Sequence, residues 1–407
     1  MIMNRRTFLA LASVGFAVAH PATSAVPTVE PDLYFNQWIN TFFTRALAAG
    51  LPRSLLDREL SGLSSDPRVA ALDARQPEFA LPISSYVRDT IGPERVAIGR
   101  AKRTSITAFS EIERAYGVPR DVLIGIWAME SAFGVHQGDM DIIRCLVTLA
   151  LGRRRAWAED QLLAALRMIA EGDVTRAPLR GSWAGAMGQT QILPTSYLAN
   201  AVSVTEGRRP DVWGSAPDAL ATAANLLAKS GWRRGEGWAL EVILPPGFDY
   251  GLSEGPKDDL DGWAAKGVRR ASATAWTRAD ATAPAVLLLP CGAAGPAFLA
   301  LPNHFVIRTY NNSIAYALAV GLLADRFAGG GGVVTPWPSE TPLSLDQRMA
   351  AQNALTKLGY SPGVVDGMVG AGTRQALRAW QKSQGLPADG YLSVTMVERL
   401  RLAAARA

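Results

Sequence analysis

The chain has 407 residues, 48% apolar and 19% charged, with 41 Lys and Arg against 36 Asp and Glu for a net charge of +5. That composition excludes an intrinsically disordered chain and, at roughly 150 residues per domain, predicts two or three packed domains. Two cysteines without a Cys-x-x-Cys spacing, and three histidines, exclude a disulfide scaffold and speak against a zinc or histidine metal centre.

In chain order, Arg5 and Arg6 precede the apolar stretch Phe8–Ala19, whose 12 residues are too few to span a bilayer. Small residues then lead to Thr23-Ser24-Ala25, so residues 1–25 read as an export signal removed at that point. The Arg-Arg-x-Phe-Leu order fits a twin-arginine signal and ordinary export signals alike. No cysteine lies near the cleavage point, so no lipid anchor is expected, and the mature protein is placed in the periplasm.

Residues 30–328 read as one mainly helical body. The spacing of apolar residues predicts helices over Phe35–Ala49, Leu55–Leu60, Val96–Tyr116, Arg120–Ser131, Ala156–Glu171, Pro217–Ser230 and Ile314–Phe327. Between Trp238 and Tyr310 the short runs Glu241–Leu244, Ala285–Leu289 and Phe305–Arg308 predict strands or extended segments of a small inserted subdomain. Cys145 and Cys291 sit in apolar runs and read as buried free thiols.

Four glycines at 329–332, with Pro336, Pro338 and Pro342, make 329–342 a flexible linker. Residues 343–403 predict a small three-helix module: Leu345–Leu358, Gly372–Gln384 and Ser393–Leu400. Asp366-Gly367 and Asp389-Gly390 repeat one turn ahead of the second and third helices. Residues 342–407 carry eight Lys and Arg against four acids, whereas the body is nearly neutral. A nucleic-acid protein carries its basic face on the main domain, so no nucleic-acid partner is expected. A basic tail suits an anionic polymer, or serves solubility alone.

The chemistry concentrates in three segments. In Asp121 through Gly134, Glu130 is the one acid in the second half of an apolar helix, bounded by Pro119 and Gly134. Trp127 and Ile126 precede it by three and four residues, on the same face. Apolar surroundings and the negative end of the helix dipole both favour the protonated carboxyl, as glycosidic-bond cleavage requires of its acid. The plainer reading is a glutamate emerging at a helix end. The second segment, Gly181–Tyr197, mixes glycines with hydroxyls and amides; its glycines let backbone approach a ligand, and Gln189 and Gln191 suit sugar hydroxyls or an acetamido group. The third, Arg308–Tyr316, sets amides and phenols ahead of an apolar helix that Ser313 can cap.

Together and in this order these segments resemble the soluble lytic transglycosylases of the membrane-bound type B family. The resemblance is carried by Tyr116-Gly117-Val118-Pro119, Met129-Glu130-Ser131-x-Phe133-Gly134, the run Gly181–Tyr197, Trp213 through Gly231-Trp232, and Arg308–Tyr316. It covers residues 35–328. It implies a mainly α, lysozyme-like catalytic domain, while 343–403 resembles a peptidoglycan-binding module. It implies cleavage of the β-1,4 bond between N-acetylmuramic acid and N-acetylglucosamine without water, leaving a 1,6-anhydro ring. By position Glu130 is the acid and then the base, Ser182 hydrogen-bonds it, and Gln191, Tyr310, Asn311, Tyr316 and Tyr86 line the sugar subsites. The partner is the peptidoglycan glycan strand; no cofactor and no other wall enzyme is indicated. Where relatives follow the asparagine with a tyrosine, this chain has Asn225-Leu226. Where some carry a calcium loop, it has Ser203 through Asp211 with spaced acids lost and two arginines added, so no metal is expected. A hydrolytic muramidase and a silent wall-binding scaffold remain the competing readings.

Overall fold

A computed structural model describes residues 31–74, 81–272 and 282–407; the export signal at 1–25 lies outside the described residues. The fold is mainly α, with seventeen α-helices and six short strands among the described residues. None of those helices is long and apolar enough to cross a membrane. The chain forms two compact units, one of residues 31–74 and 130–225, the other of 81–129 and 226–407.

The chain opens with α1 (Pro31–Ala48), α2 (Arg53–Leu60) and α3 (Pro67–Ala74), then α4 (Ile83–Thr90), α5 (Pro93–Ser105), α6 (Phe109–Tyr116) and α7 (Arg120–Ser131). One long helix was predicted over Val96–Tyr116, but the chain breaks at Ile106, which is extended (φ −98°, ψ 100°). The run Thr104-Ser105-Ile106-Thr107 supplies the reason: β-branched residues and a serine hold a helix weakly. Next come β1 (Met140–Asp141), α8 (Ile142–Ala150), α9 (Arg155–Ala170), β2 (Arg180–Gly181), α10 (Pro194–Asn200) and α11 (Ala216–Lys229).

In the unit that contains Glu130, α8 is the hub and packs on α9 and α3. All its residues except Arg144 are buried, and so short an apolar run reads equally as a buried strand or a helix, which is why the sequence does not mark it. Asp141 caps it by accepting from the Arg144 N–H at 3.1 Å. The buried carboxylate of Glu159 on α9 is matched by the Trp38 indole (2.9 Å), Arg45 (2.7 Å) and Arg155 (2.8 Å). Removing both arginines would strand the charge, the costly case for a buried ion.

The C-terminal unit adds β3 (Ala239–Ile243), α12 (Leu260–Ala265), β4 (Arg269–Arg270), β5 (Val286–Leu288), β6 (Ala297–Ala300), α13 (Pro302–Tyr310), α14 (Ile314–Phe327), α15 (Leu345–Lys357), α16 (Ala371–Ser383) and α17 (Val394–Arg406). Its antiparallel sheet runs β4-β3-β6-β5, with Leu240 opposite Leu299 and Leu287 opposite Leu299. One face packs Val242, Leu287 and Leu299 on Trp263 and Leu260; the other sets Val286, Leu288 and Ala300 against Phe305 and Ile314. Phe305–Arg308, predicted extended, lies inside helix α13. Pro302 starts that helix with its preset φ, and the β-branched Val306 and Ile307 face the core, which outweighs their strand preference. β6 went unread because two of its four residues are alanine.

Helices α15–α17 enclose a core of Leu355, Leu377, Trp380 and Leu400. The Asp-Gly repeat has a structural basis. Gln352 Oε1 accepts from Gly367 N at 2.8 Å while its amide donates to Asp366; Gln381 Oε1 accepts from Gly390 N at 2.8 Å while its amide donates to Asp389. A helix glutamine thus reads the following Asp-Gly turn twice. Both cysteines are free and buried.

Candidate active site

Helix α7 is buried from Val122 through Met129 and ends abruptly, with Glu130 half-buried at the last turn. Three successive residues then take left-handed backbone: Ala132 (φ 49°), Phe133 (φ 61°) and Gly134 (φ 87°). Two of these are not glycine, an arrangement that costs energy and persists only where the surroundings hold it. The holding group is Ser131: its hydroxyl donates to the Gln189 carbonyl and accepts from the Gly134 N–H at 2.8 Å. The helix end is thereby tied to the glycine-amide run, 58 residues away in sequence.

That run is a stack of tight turns. β2 pairs with β1, setting Gly181 opposite Met140. Ser182 N donates to Ala186 O at 2.8 Å, and Met187 and Ile192 exchange two bonds of 2.9 Å. Gly181 must be glycine: a Cβ there would stand 2.0 Å from the Ala186 carbonyl oxygen. Ser182 Oγ accepts from Ala186 N at 3.2 Å, so its own O–H remains to donate.

Gln191 has φ 49°, again left-handed without glycine. Its amide nitrogen donates to the carbonyls of Gln137 (2.8 Å) and Gly188 (2.9 Å). Both amide hydrogens are therefore used inside the protein, and the side-chain oxygen is the polar atom of that side chain left to accept. Gln189 and Gln137 both donate to the Trp213 carbonyl, at 3.0 and 3.2 Å. Gln137 was not foreseen as a site organiser, since a glutamine in an irregular loop has no sequence signal. Its Oε1 is buried with no hydrogen-bond partner among the described residues.

Tyr86, Tyr310, Asn311 and Tyr316 belong to the C-terminal unit. Tyr310 ends α13, Asn311 follows it, and Tyr316 sits in the first turn of α14, where Ser313 caps the helix by accepting from Tyr316 N at 3.3 Å. Helix α14 packs against both α13 and α4, which carries Tyr86, so three helices hold all four residues in one unit. Asn311 is 2% exposed and its Oδ1 has no partner among the described residues.

The segment 203–211 is organised from within the chain. Asp218 accepts from Val204 N (2.9 Å) and Asp211 N (3.0 Å), Asp211 accepts from Trp213 N and Gly214 N, and Arg209 pairs with Asp173. No group of three or more His, Cys, Asp or Glu among the described residues is placed to hold a metal ion. Asp141, an acid close to Glu130 in sequence, is committed to Arg176 at 2.8 Å and to capping α8.

The model of the transglycosylase SLT domain family matches residues 34–325, and that of the peptidoglycan binding domain matches 344–400. SltB3 from Pseudomonas aeruginosa, solved in complex with NAG-anhNAM-pentapeptide, is 46% identical with a TM-score of 0.86, covering 90% of this chain and 99% of that one. The Escherichia coli lytic transglycosylase Slt35, solved in complex with calcium, is 28% identical with a TM-score of 0.61, covering 72% of this chain and 92% of that one. Membrane-bound lytic murein transglycosylase B of Escherichia coli K12 is 29% identical over 225 residues, 54% of this chain and 60% of that protein. The match thus spans about three fifths of the curated relative's length.

Proposed function

Because the chain belongs to the transglycosylase SLT family, we propose that it is an exported lytic transglycosylase. It cleaves the β-1,4 bond between N-acetylmuramic acid and N-acetylglucosamine in peptidoglycan. The observation that carries the reading is Glu130: the one acid in the last turn of α7, at the point where a buried helix stops on strained backbone.

Glu130 in its acid form gives its proton to the glycosidic oxygen as the bond to C1 of the muramic sugar breaks. The carboxylate left behind takes the proton of the C6 hydroxyl, whose oxygen closes on C1. N-acetylglucosamine leaves with its 4-hydroxyl, the muramic sugar keeps a 1,6-anhydro ring, and Glu130 is reprotonated. One carboxylate serves both steps and no water is consumed. Ser182 donates to Glu130, and the Gln191 oxygen meets a sugar donor. Tyr86, Tyr310, Asn311 and Tyr316 hold the sugars, with the buried Asn311 oxygen suited to a hydroxyl or acetamido N–H. Residues 343–403 bind the wall polymer. An inverting hydrolase needs a second carboxylate about 6.5–9.5 Å from the first to activate water; of the two acids nearest Glu130 in sequence, Asp139 and Asp141, the second is paired with Arg176, which speaks against it as that base.

The test is mass spectrometry of soluble products released from purified sacculi by the mature protein. Muropeptides lighter than reducing ends by one water establish ring closure. Reducing ends refute it in favour of hydrolysis, and absence of products from a protein that still pellets with sacculi leaves a binding scaffold.

A further inference from the structure

Residues 329–342 do not run free between α14 and α15. The N–H groups of Val334 and Thr335 both donate to the Glu241 carboxylate on β3 at 2.7 Å. Trp337 stacks on Phe298 of β6, with ring centroids 6.2 Å apart. Glu340 then gathers donors from three distant segments: the Ser84 backbone N–H at 2.9 Å, the Cys291 thiol at 3.5 Å, and the Tyr391 hydroxyl of the C-terminal module. Ser84 lies in the first turn of α4, where N–H groups lack helical acceptors and a carboxylate meets the positive end of the helix. The residue before α4 is Pro82, whose side chain makes no cap bond. Burial, and then Glu340 itself, push the Tyr391 phenol up, so it stays a donor.

The module is held at two further points. Asp389 accepts from Ala293 N at 3.0 Å, and Gly292 permits the approach, since a Cβ there would stand 2.6 Å from Asp389 and from Tyr391. Glu254, on left-handed backbone (φ 56°), receives Arg374 at 2.9 Å and Arg378 at 3.1 Å. Two of the tail's basic side chains are therefore spent inside the protein.

We propose that Glu340 is a positioning residue for sugar binding: it ties the module, through Tyr391, to the first turn of the helix that bears Tyr86. The module is then a fixed part of the sugar-binding unit and does more than raise local concentration at the wall. The inference rests on the reading of Tyr86 as a sugar contact.

The test uses full-length Tyr86→Phe, Glu340→Ala, Glu340→Gln and Tyr391→Phe, with a soluble peptide-bearing N-acetylglucosamine–N-acetylmuramic acid oligosaccharide as substrate and pelleting with sacculi as a separate readout. Glu340→Ala is expected to raise KM about ten-fold with kcat within about two-fold, as for loss of uniform binding. Tyr391→Phe is expected to move KM about three-fold in the same direction, and pelleting is unchanged in both. In the Tyr86→Phe background Glu340→Ala adds little, because the two act through one contact. Glu340→Gln, which keeps the shape and one acceptor oxygen, recovers part of the loss and carries the test if the alanine variant melts. An unchanged KM in both Glu340 variants, or full multiplication of the Glu340→Ala and Tyr86→Phe effects, overturns the proposal. If Tyr86→Phe alone leaves KM unchanged, it is the reading of Tyr86 that fails.

Discussion

Gln191 donates its side-chain amide to the backbone carbonyl of Gln137 at 2.8 Å, joining two irregular segments 54 residues apart in the chain. The same amide reaches Gly188 O at 2.9 Å while its own backbone is left-handed at φ 49°. Gln191→Gly relieves the backbone and loses the two bonds, so the net change in stability is expected to stay within about 1 kcal/mol. Gln191→Ala keeps the strain and should be less stable than the glycine variant by about 1 kcal/mol. Both lose the candidate sugar-contacting oxygen, so turnover of a soluble glycan should fall in both by a similar factor. Urea unfolding alongside steady-state kinetics checks the pair; retained turnover in the glycine variant refutes a ligand role for Gln191.

Glu130→Gln keeps size and hydrogen bonding but has no proton to give. Release of anhydro-muropeptides should fall by about 10²–10⁴-fold, the range of general acid–base catalysis, while pelleting with sacculi persists. Cleavage at an undiminished rate would remove Glu130 from the mechanism.

Gly181→Ala sets a Cβ 2.0 Å from a backbone oxygen, where no side chain can yield. It should cost upwards of about 2 kcal/mol. Gly207→Ala is the matched control: its φ is +72° but nothing lies within 4 Å of the added Cβ, so it should cost only the backbone term of about 1 kcal/mol. Equal midpoints in urea would mean the turn at 181–186 can open without cost.

His304 is fully buried beside Trp238 and Phe305, and neither ring nitrogen has a partner among the described residues. Burial, with a smaller push from Arg308, lowers its pKa to about 3. The folded protein therefore keeps it neutral while the unfolded chain takes a proton below its ordinary value of 6.5. This contribution to stability is intact above about pH 6.5 and is lost as pH falls from 6.5 toward 3, by about 1.4 kcal/mol at pH 5.5. His304→Leu, which brings no unpaired polar atom, should lose correspondingly less between pH 7.5 and 5.5. Parallel pH dependence in the two proteins would show that His304 is not held neutral.

Gln352 is fully buried and supplies the acceptor for Gly367 N, as Gln381 does for Gly390 N. Replacing either by Ala leaves a buried N–H without an acceptor and should cost about 1–3 kcal/mol. Similar losses at the two sites would show that the repeated turn is an energetic repeat; a negligible loss at either would show that water replaces the glutamine there.

Helix α7 was legible residue for residue, because Pro119, an unbroken apolar run and Gly134 all mark its limits. Helix α8 was not: its nine residues are nearly all apolar, and so short a run fits a buried strand as well as a helix. Helix α13 was misread because Val306 and Ile307 favour strands locally, and only their burial in the folded unit overrides that preference. Among the candidate site residues, Glu130 stood out as a lone acid in an apolar run and Gln191 as an amide among glycines. Gln137 and Ser131 had no such contrast, and their importance comes from bonds to residues more than fifty positions away.

By itself the sequence determined the mainly helical class, the placing of Glu130 in the last turn of its helix, the glycine-amide run and the three-helix tail, since each follows from local periodicity, capping or composition. What the polar groups do follows from the packing in three dimensions. That packing spent the Gln191 amide on two backbone carbonyls, turned Arg374 and Arg378 onto Glu254, and made Glu340 in a glycine- and proline-rich segment the meeting point of Ser84, Cys291 and Tyr391. Buried hydrogen-bond donors must find acceptors wherever the chain brings them, and sequence spacing carries no record of which distant residue that will be.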